Sequence, residues 1–381
     1  MKVLIAPDSF KGSLTAKEVA SAMKRGIRKV RIGADVELIP IADGGEGTMD
    51  SLVEATSGSY YECKVEDPLG RSVSAQYGIT KDNKTAVIEL SSASGLNILT
   101  ENELDPYSAS TYGTGQLIMH ALNEGVRNFI ICLGGSATND GGSGILKALG
   151  YRLVDKNGDT IKPGGIGLKN LHFIDDSQVS PKVQEAFFQI ACDVNNPFVG
   201  SNGAAAIFGP QKGANSEMVQ ELDNAMMVFA NCIEQKTRQS VHHVPGAGAA
   251  GGAAGGLMGF LNAELKPGIQ LVMEAVQLEE FIQQETFDLL LTGEGKIDSQ
   301  TASGKVVAGL AEVAKRYSLP TVALSGNVDG ELTTLYNRGL SAVFSITNGP
   351  MTLRDAMSEG SDLIEKQTEQ IFRLLSLAYN Y

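Results

Sequence analysis

The chain has 381 residues, a net charge of −13, no tryptophan, and 44 glycines as its one compositional outlier. That length allows two or three domains. The negative charge argues against a general binder of nucleic acid or anionic membrane, because phosphate tracks attract basic surfaces. Cys63, Cys132, Cys192 and Cys232 show no CxxC spacing, which argues against a disulfide framework or a zinc site; Cys132 and Cys192 fall in apolar runs as small buried hydrophobes.

In chain order, "MKVLIAPD" reaches an acid too soon to be a secretory h-region, which predicts a cytoplasmic protein. The apolar run 3–8 is a first strand. "SLTAKEVASAMKRGIRKV" follows as a helix, with Ser13 as candidate N-cap and Val19, Met23 and Ile27 on one face. Run 36–43 is a second strand and ends in "IADGGEGTMD", a glycine turn that carries acids where a phosphate loop would avoid them. "YYECKVEDPLGRSVSAQYGITKDNKTAVIELSSASGL" then alternates apolar and polar residues around turn signals, the pattern of antiparallel strands.

Further on come run 129–135 and the segments "FQIACDVNNP" and "AAAIFGPQKGA". The glycine-rich stretch 244–261 is too weakly apolar to span a bilayer. Runs 287–295, 321–326 and 342–347 close the series, and "ASGKVVAGLAEVAKRYSL" sets Val306, Leu310 and Val313 on one helical face before Pro320 stops it. Continuous apolar runs mark strands buried on both faces of a parallel sheet, and their alternation with helices marks an open α/β sheet. The expected organisation is a five-stranded parallel domain from 1–62 plus 281–381, with 63–280 inserted as a mixed α/β domain.

Ligands of open parallel sheets bind outside the carboxyl ends of the strands. Five such ends carry acids here: Asp8 with Lys11; Asp43 with Glu46; Asn139 and Asp140; Asp193 with Asn195 and Asn196; and Glu294 with Lys296, Asp298 and Lys305. One such turn is most simply a helix cap. Five converging unpaired would repel one another, so a cation is expected among them. Mg²⁺ suits carboxylate oxygens and keeps places for substrate phosphates. Glycine amides approach phosphate closely. Acids, lysines and glycine amides together suit phosphoryl transfer, with an acid as base for an attacking hydroxyl. No G-x-G-x-x-G follows the first strand, and P-loop, H-E-x-x-H and G-x-S-x-G patterns are absent. His120, His172, His242 and His243 read as surface or satisfied residues. The residues alone therefore give a Mg²⁺-dependent enzyme acting on a small phosphorylated or anionic substrate.

Taken together, "APDSFKGSLTA", "PIADGGEGT", "DPLGR", "YGTGQLI", "GGSATNDGG", "CDVNNP", "FGPQKGA", "PGAGAAGG" and "TGEGKIDSQTASGK" resemble the bacterial glycerate kinases of glyoxylate and glucarate metabolism over nearly the whole chain. The resemblance implies two α/β domains, one flavodoxin-like, flanking a cleft that holds the active site. It implies ATP-dependent phosphorylation of D-glycerate with Mg²⁺. 2-Phosphoglycerate is slightly favoured over 3-phosphoglycerate as product, although no local motif decides it. Lys296 stands where arginine is common in the family, and Ser91 and Ser92 where an apolar and a small residue are usual. The expected roles follow from charge and strand-end placement. Asp8, Lys11, Asp43, Asp193, Glu294 and Asp298 are catalytic candidates, with Asp43, Asp193 and Glu294 also candidates for Mg²⁺. Arg71 is expected at the glycerate carboxylate, with Ser136, Asn139, Asp140, Lys212 and Gly248 also on the substrate. Gly44, Gly45, Gly293, Gly295 and Lys305 are expected at ATP. A non-catalytic nucleotide-binding regulator and a hydroxy-acid dehydrogenase are the alternatives; the second lacks its dinucleotide fingerprint. No nucleic-acid or membrane partner is expected, and a homo-oligomer is left open.

Overall fold

The computed structural model describes every residue except 83, 299–300, 302–304 and 379–381. The start of the helix expected from 302, and part of "TGEGKIDSQTASGK", lie outside the described residues. In order the strands are β1 (Lys2–Ile5), β2 (Asp35–Leu38), β3 (Ser59–Glu66), β4 (Ser72–Ile79), β5 (Thr85–Glu89), β6 (Asn128–Cys132), β7 (Arg152–Val154), β8 (Phe173–Asp175), β9 (Phe187–Ala191), β10 (Glu264–Lys266), β11 (Leu289–Ile297), β12 (Thr321–Val328) and β13 (Ala342–Ser345). The chain divides into two compact units, Met1–Asp43 with Gly268–Tyr381, and Gly44–Pro267.

The first unit is a five-stranded sheet in the order β13-β12-β11-β1-β2, every pair parallel. The central strands β1, β11 and β12 are largely buried, as their unbroken hydrophobicity predicts, whereas the edge strands β2 and β13 are only half-buried. Val3, Ile5, Leu291 and Leu324 pack with Met23 and Ile27 of the helix Ala16–Val30 and with Phe372 of the helix Gly360–Ala378. Ala323 instead joins Val307, Ala308 and Ala311 of the helix Val306–Arg316. Each large aliphatic side chain removed from water contributes about 1.5–3 kcal/mol. Val19, Met23 and Ile27 are fully buried, but the cap differs from expectation. Thr15 is the N-cap, in a reciprocal capping box with Glu18, while the Ser13 hydroxyl donates to the Met357 carbonyl. The Thr-x-x-Glu spacing satisfies two helix-end donors at once, which a lone serine two residues earlier does not.

The second unit holds a six-stranded sheet in the order β10-β9-β6-β5-β4-β3. The pairs β3–β4 and β4–β5 are antiparallel, as the alternating stretch predicts; β5, β6, β9 and β10 run parallel. β7 and β8 form a separate antiparallel pair. Phe129, Phe188, Phe198 and Phe229 anchor its core. No helix among the described residues is long and apolar enough to cross a membrane. The glycine-rich stretch instead forms a buried turn and the helix Ala253–Leu261.

Gly251 shows why those glycines are required. Its φ is +65°, and a Cβ there would lie 2.0 Å from the Thr138 carbonyl oxygen. Gly251→Ala is expected to cost about 2–4 kcal/mol, from an unfavourable backbone conformation and an unavoidable backbone clash. Urea unfolding of the variant measures it.

Candidate active site

In the first unit the strand order reverses direction between β1 and β11. From β1 the chain crosses to β2 on one side, and from β11 to β12 on the other. Such a switch point opens a crevice at the carboxyl ends of the two strands. Asp8 follows β1, and its backbone N–H donates to the Gly293 carbonyl at 2.8 Å. Glu294 is the next residue along β11. Asp43 follows β2. The sequence therefore brings three of its strand-end acids to one edge of one sheet.

Their electrostatics agree. Asp8 is pushed up to about 8, first by burial and then by the charges of Asp43 and Glu294; the Ser9 N–H, 2.6 Å from Asp8 Oδ1, opposes this. Glu294 is pushed up to about 7, chiefly by burial and further by Asp43 and Asp298. The Thr301 hydroxyl, which donates to Glu294 Oε1, and the Lys305 ammonium pull it back. Thr301 is not among the residues the sequence singles out; its hydroxyl also accepts the Asp298 N–H at 3.2 Å. Asp298 pairs with Lys296 at 3.0 Å. Lys305 is the N-cap residue of the helix Val306–Arg316. Lys11 is exposed in the turn joining Phe10 to Leu14. Gly293 is a packing position: a Cβ there would meet the Leu324 carbonyl at 2.4 Å. A Cβ on Gly295 would touch Phe10 and Lys11 backbone atoms at 3.5 and 3.6 Å.

The second unit gathers a different set at the carboxyl ends of β5, β6 and β9, where Glu89, Cys132 and Ala191 lie in register. Gly44 opens this unit with φ +90° and is followed by Gly45 and the exposed Glu46. Gly134 lies against that turn, where a Cβ would stand 3.5 Å from the Gly45 Cα. Ser136 is buried and bridges to Gly95; Asp193 is exposed in the loop after β9.

Asp140 is fully buried, and burial pushes its carboxyl up. Four donors oppose this: the backbone N–H groups of Thr111, Gly142 and Gly144 and the Thr111 hydroxyl, at 2.9–3.1 Å. Asn139 and Lys212 are fully buried too. Lys212 Nζ donates to the Thr138 carbonyl at 2.5 Å, and burial lowers it to about 7 against the opposing pull of Asp140. The Thr138 hydroxyl and Asn139 Oδ1 are buried without a partner. Lys212 thus stands as an internal clamp on the 134–142 loop. Gly248 donates its N–H to the Asn196 carbonyl at 2.9 Å and has no room for a side chain against Pro197. Arg71 is committed as well: Nε donates to Asp67 at 2.5 Å and Nη1 to Glu103. Asp67 is buried and also accepts the N–H groups of Leu69 and Arg71, so this guanidinium fastens its own turn.

Among the described residues no group of three or more His, Cys, Asp or Glu side chains is disposed to hold a metal ion. Mg²⁺ is more often held through one or two carboxylates, with water and substrate phosphate completing its shell. Asp8, Asp43 and Glu294 fit that mode: they are hard oxygen donors, and the Asp43 charge pushes up both Asp8 and Glu294, a repulsion that a shared cation relieves.

The sequence model of the glycerate kinase family matches residues 3–376. A glycerate kinase of Halalkalibacterium halodurans is 46% identical over 97% of this chain and 97% of its own length. A glycerate 2-kinase of Escherichia coli K12 is 45% identical over 99% of this chain and 98% of its own. A solved structure from Salmonella typhimurium LT2, provisionally described as a glycerate kinase 2, superposes with a TM-score of 0.91 at 43% identity, covering 100% of both chains.

Proposed function

This chain belongs to the glycerate kinase family, and from that premise we propose that it transfers the γ-phosphoryl group of ATP to D-glycerate in the cytoplasm. The observation that carries the mechanism is the trio Asp8, Asp43 and Glu294 at the switch point, with two of its carboxyls held near neutrality. Asp8 is the base. A carboxylate with a pKa close to the working pH is unprotonated often enough to accept a proton and basic enough to hold it. As the substrate hydroxyl oxygen bonds to the γ-phosphorus, its proton passes to an Asp8 oxygen, and the bond from that phosphorus to the bridging oxygen breaks to release ADP.

Asp43 and Glu294 would hold Mg²⁺ together with the nucleotide phosphates, where the ion supplies neutralisation of phosphate charge. Lys305 sets a further positive charge beside Glu294. Thr301 keeps the Glu294 carboxyl in one orientation through its hydroxyl. Within the second unit the 134–142 loop is braced from inside by Asp140 and Lys212, and Ser136 on it is a candidate for substrate contact.

We assign the 2-hydroxyl as acceptor, supported by the E. coli relative named glycerate 2-kinase. ADP release on mixing the protein with ATP, Mg²⁺ and D-glycerate tests the activity. Proton-coupled ³¹P NMR tests the position, because a phosphate on carbon 2 couples to one neighbouring hydrogen and gives a doublet. A triplet signals transfer to the 3-hydroxyl, and no ADP overturns the reading.

A further inference from the structure

We infer that Glu89 is a positioning residue, which fixes the 44–47 turn from behind and takes up the helix N-terminus where a phosphate would otherwise sit. A glycine turn leading from a strand into a helix is ordinarily an anion site, because the first amides of the helix have no partners of their own. Here that turn leads into the helix Thr48–Thr56, whose N-cap, Gly47, has φ +86° and no side chain to cap with. The missing acceptor comes from another strand. Glu89, the last residue of β5, is 8% exposed, and its Oε1 accepts the Met49 N–H at 3.0 Å. The Gly47 amide also favours its charged form, while burial and the charges of Asp50 and Glu46 oppose it.

The turn is held on its other side as well, since Gly134 stands where a Cβ would be 3.6 Å from the Glu46 amide nitrogen. A phosphate placed on these amides would have to displace a carboxylate and face Glu46 and Asp50 beyond it. Like charges at that range exclude it. This explains the acids in "IADGGEGTMD". The turn is not a phosphate cradle, and Gly44 and Gly45 serve to aim the residue before them, Asp43.

The inference rests on the ATP-dependent reading above. The test compares wild type, E89A and E89Q at saturating glycerate with ATP varied. E89A is expected to lower kcat about tenfold or more at an unchanged KM for ATP, since orphaned buried amides let the turn drift. Added formate should restore part of that kcat by occupying the vacated amides. E89Q, which keeps one acceptor oxygen, should fall between; if E89A does not fold, E89Q carries the comparison. A KM for ATP raised tenfold in the variants at constant kcat overturns the inference, because the turn would then be holding phosphate. So does wild-type kcat in both variants. Absence of ADP from the wild type counts against the kinase reading instead, whatever the variants do.

Discussion

Asp8→Asn and Glu294→Gln are expected to raise the melting temperature at pH 8 while lowering kcat by about 10³-fold or more. The two effects have one cause. Both carboxyls are pushed up in the folded protein, Asp8 to about 8 and Glu294 to about 7, primarily by burial. Between their unfolded and folded pKa values the folded chain binds more protons than the unfolded chain, so stability falls as pH rises. Their contribution is fully present below about pH 4 and is lost as pH passes through 7 to 8. At pH 8 the protein therefore carries buried negative charges that it would be more stable without. Neutral amides of the same shape remove that cost, on the order of 3 kcal/mol for Asp8. For a chain of this length the gain corresponds to a rise of roughly 5 °C or more. Differential scanning fluorimetry at pH 4 and pH 8 is the measurement. An equal shift at both pH values, or a fall at pH 8, sinks the electrostatic account. The kcat/KM profile adds a check, because the acid limb near pH 8 assigned to Asp8 should vanish in Asp8→Asn. Active sites commonly hold groups that cost stability in this way.

How far the site was legible follows from the same residues. Asp8, Asp43 and Glu294 could be picked out because each ends an apolar run, and a parallel sheet sends such ends to one edge. Partners that depend on side-chain direction could not. In sequence Arg71 and Lys212 read as cations for substrate anions, since sequence shows charge but not what neutralises it. Folded, Arg71 meets Asp67 and Glu103, and Lys212 turns inward to the Thr138 carbonyl. Glu89 does leave a trace in sequence: "TAVIE" is one more apolar run ending in an acid. The trace is faint because the glycines that mark the other ends are absent directly after it. The glycines carry a second ambiguity. Gly248, Gly251 and Gly293 resemble ligand-facing positions in sequence, yet each is where another backbone approaches too closely for a Cβ. Only the packed structure separates a glycine that admits a ligand from one that admits its own chain.

Asp140→Asn is expected to destabilise the protein by about 3–5 kcal/mol, a larger effect than a buried Asp to Asn change has in a mixed environment. Every described partner of the Asp140 carboxylate is a donor: three backbone N–H groups and the Thr111 hydroxyl. An amide in its place must turn its own N–H₂ toward some of those donors, so hydrogen bonds become repulsive contacts. The carboxylate also ties together two helix starts, at Tyr112–Asn123 and Ser143–Ala148, so the loss loosens both. Lys212 makes the effect pH-dependent. Its ammonium is lowered to about 7 by burial, with Asp140 opposing. At pH 6 the lysine is protonated, and replacing the Asp140 carboxyl takes away the group that favours its ammonium against burial, leaving the Thr138 carbonyl as its described partner. At pH 9 it is neutral in the folded chain and has little charge to lose. A double-mutant cycle with Lys212→Met should therefore give a coupling of about 1 kcal/mol or more at pH 6 that shrinks by pH 9. Chemical denaturation at the two pH values reads it directly. Additive variants at pH 6 would show that the lysine and the aspartate act separately. A coupling that fades as the lysine loses its proton would instead identify them as one device, bracing the 134–142 loop on which Ser136 and Asn139 stand.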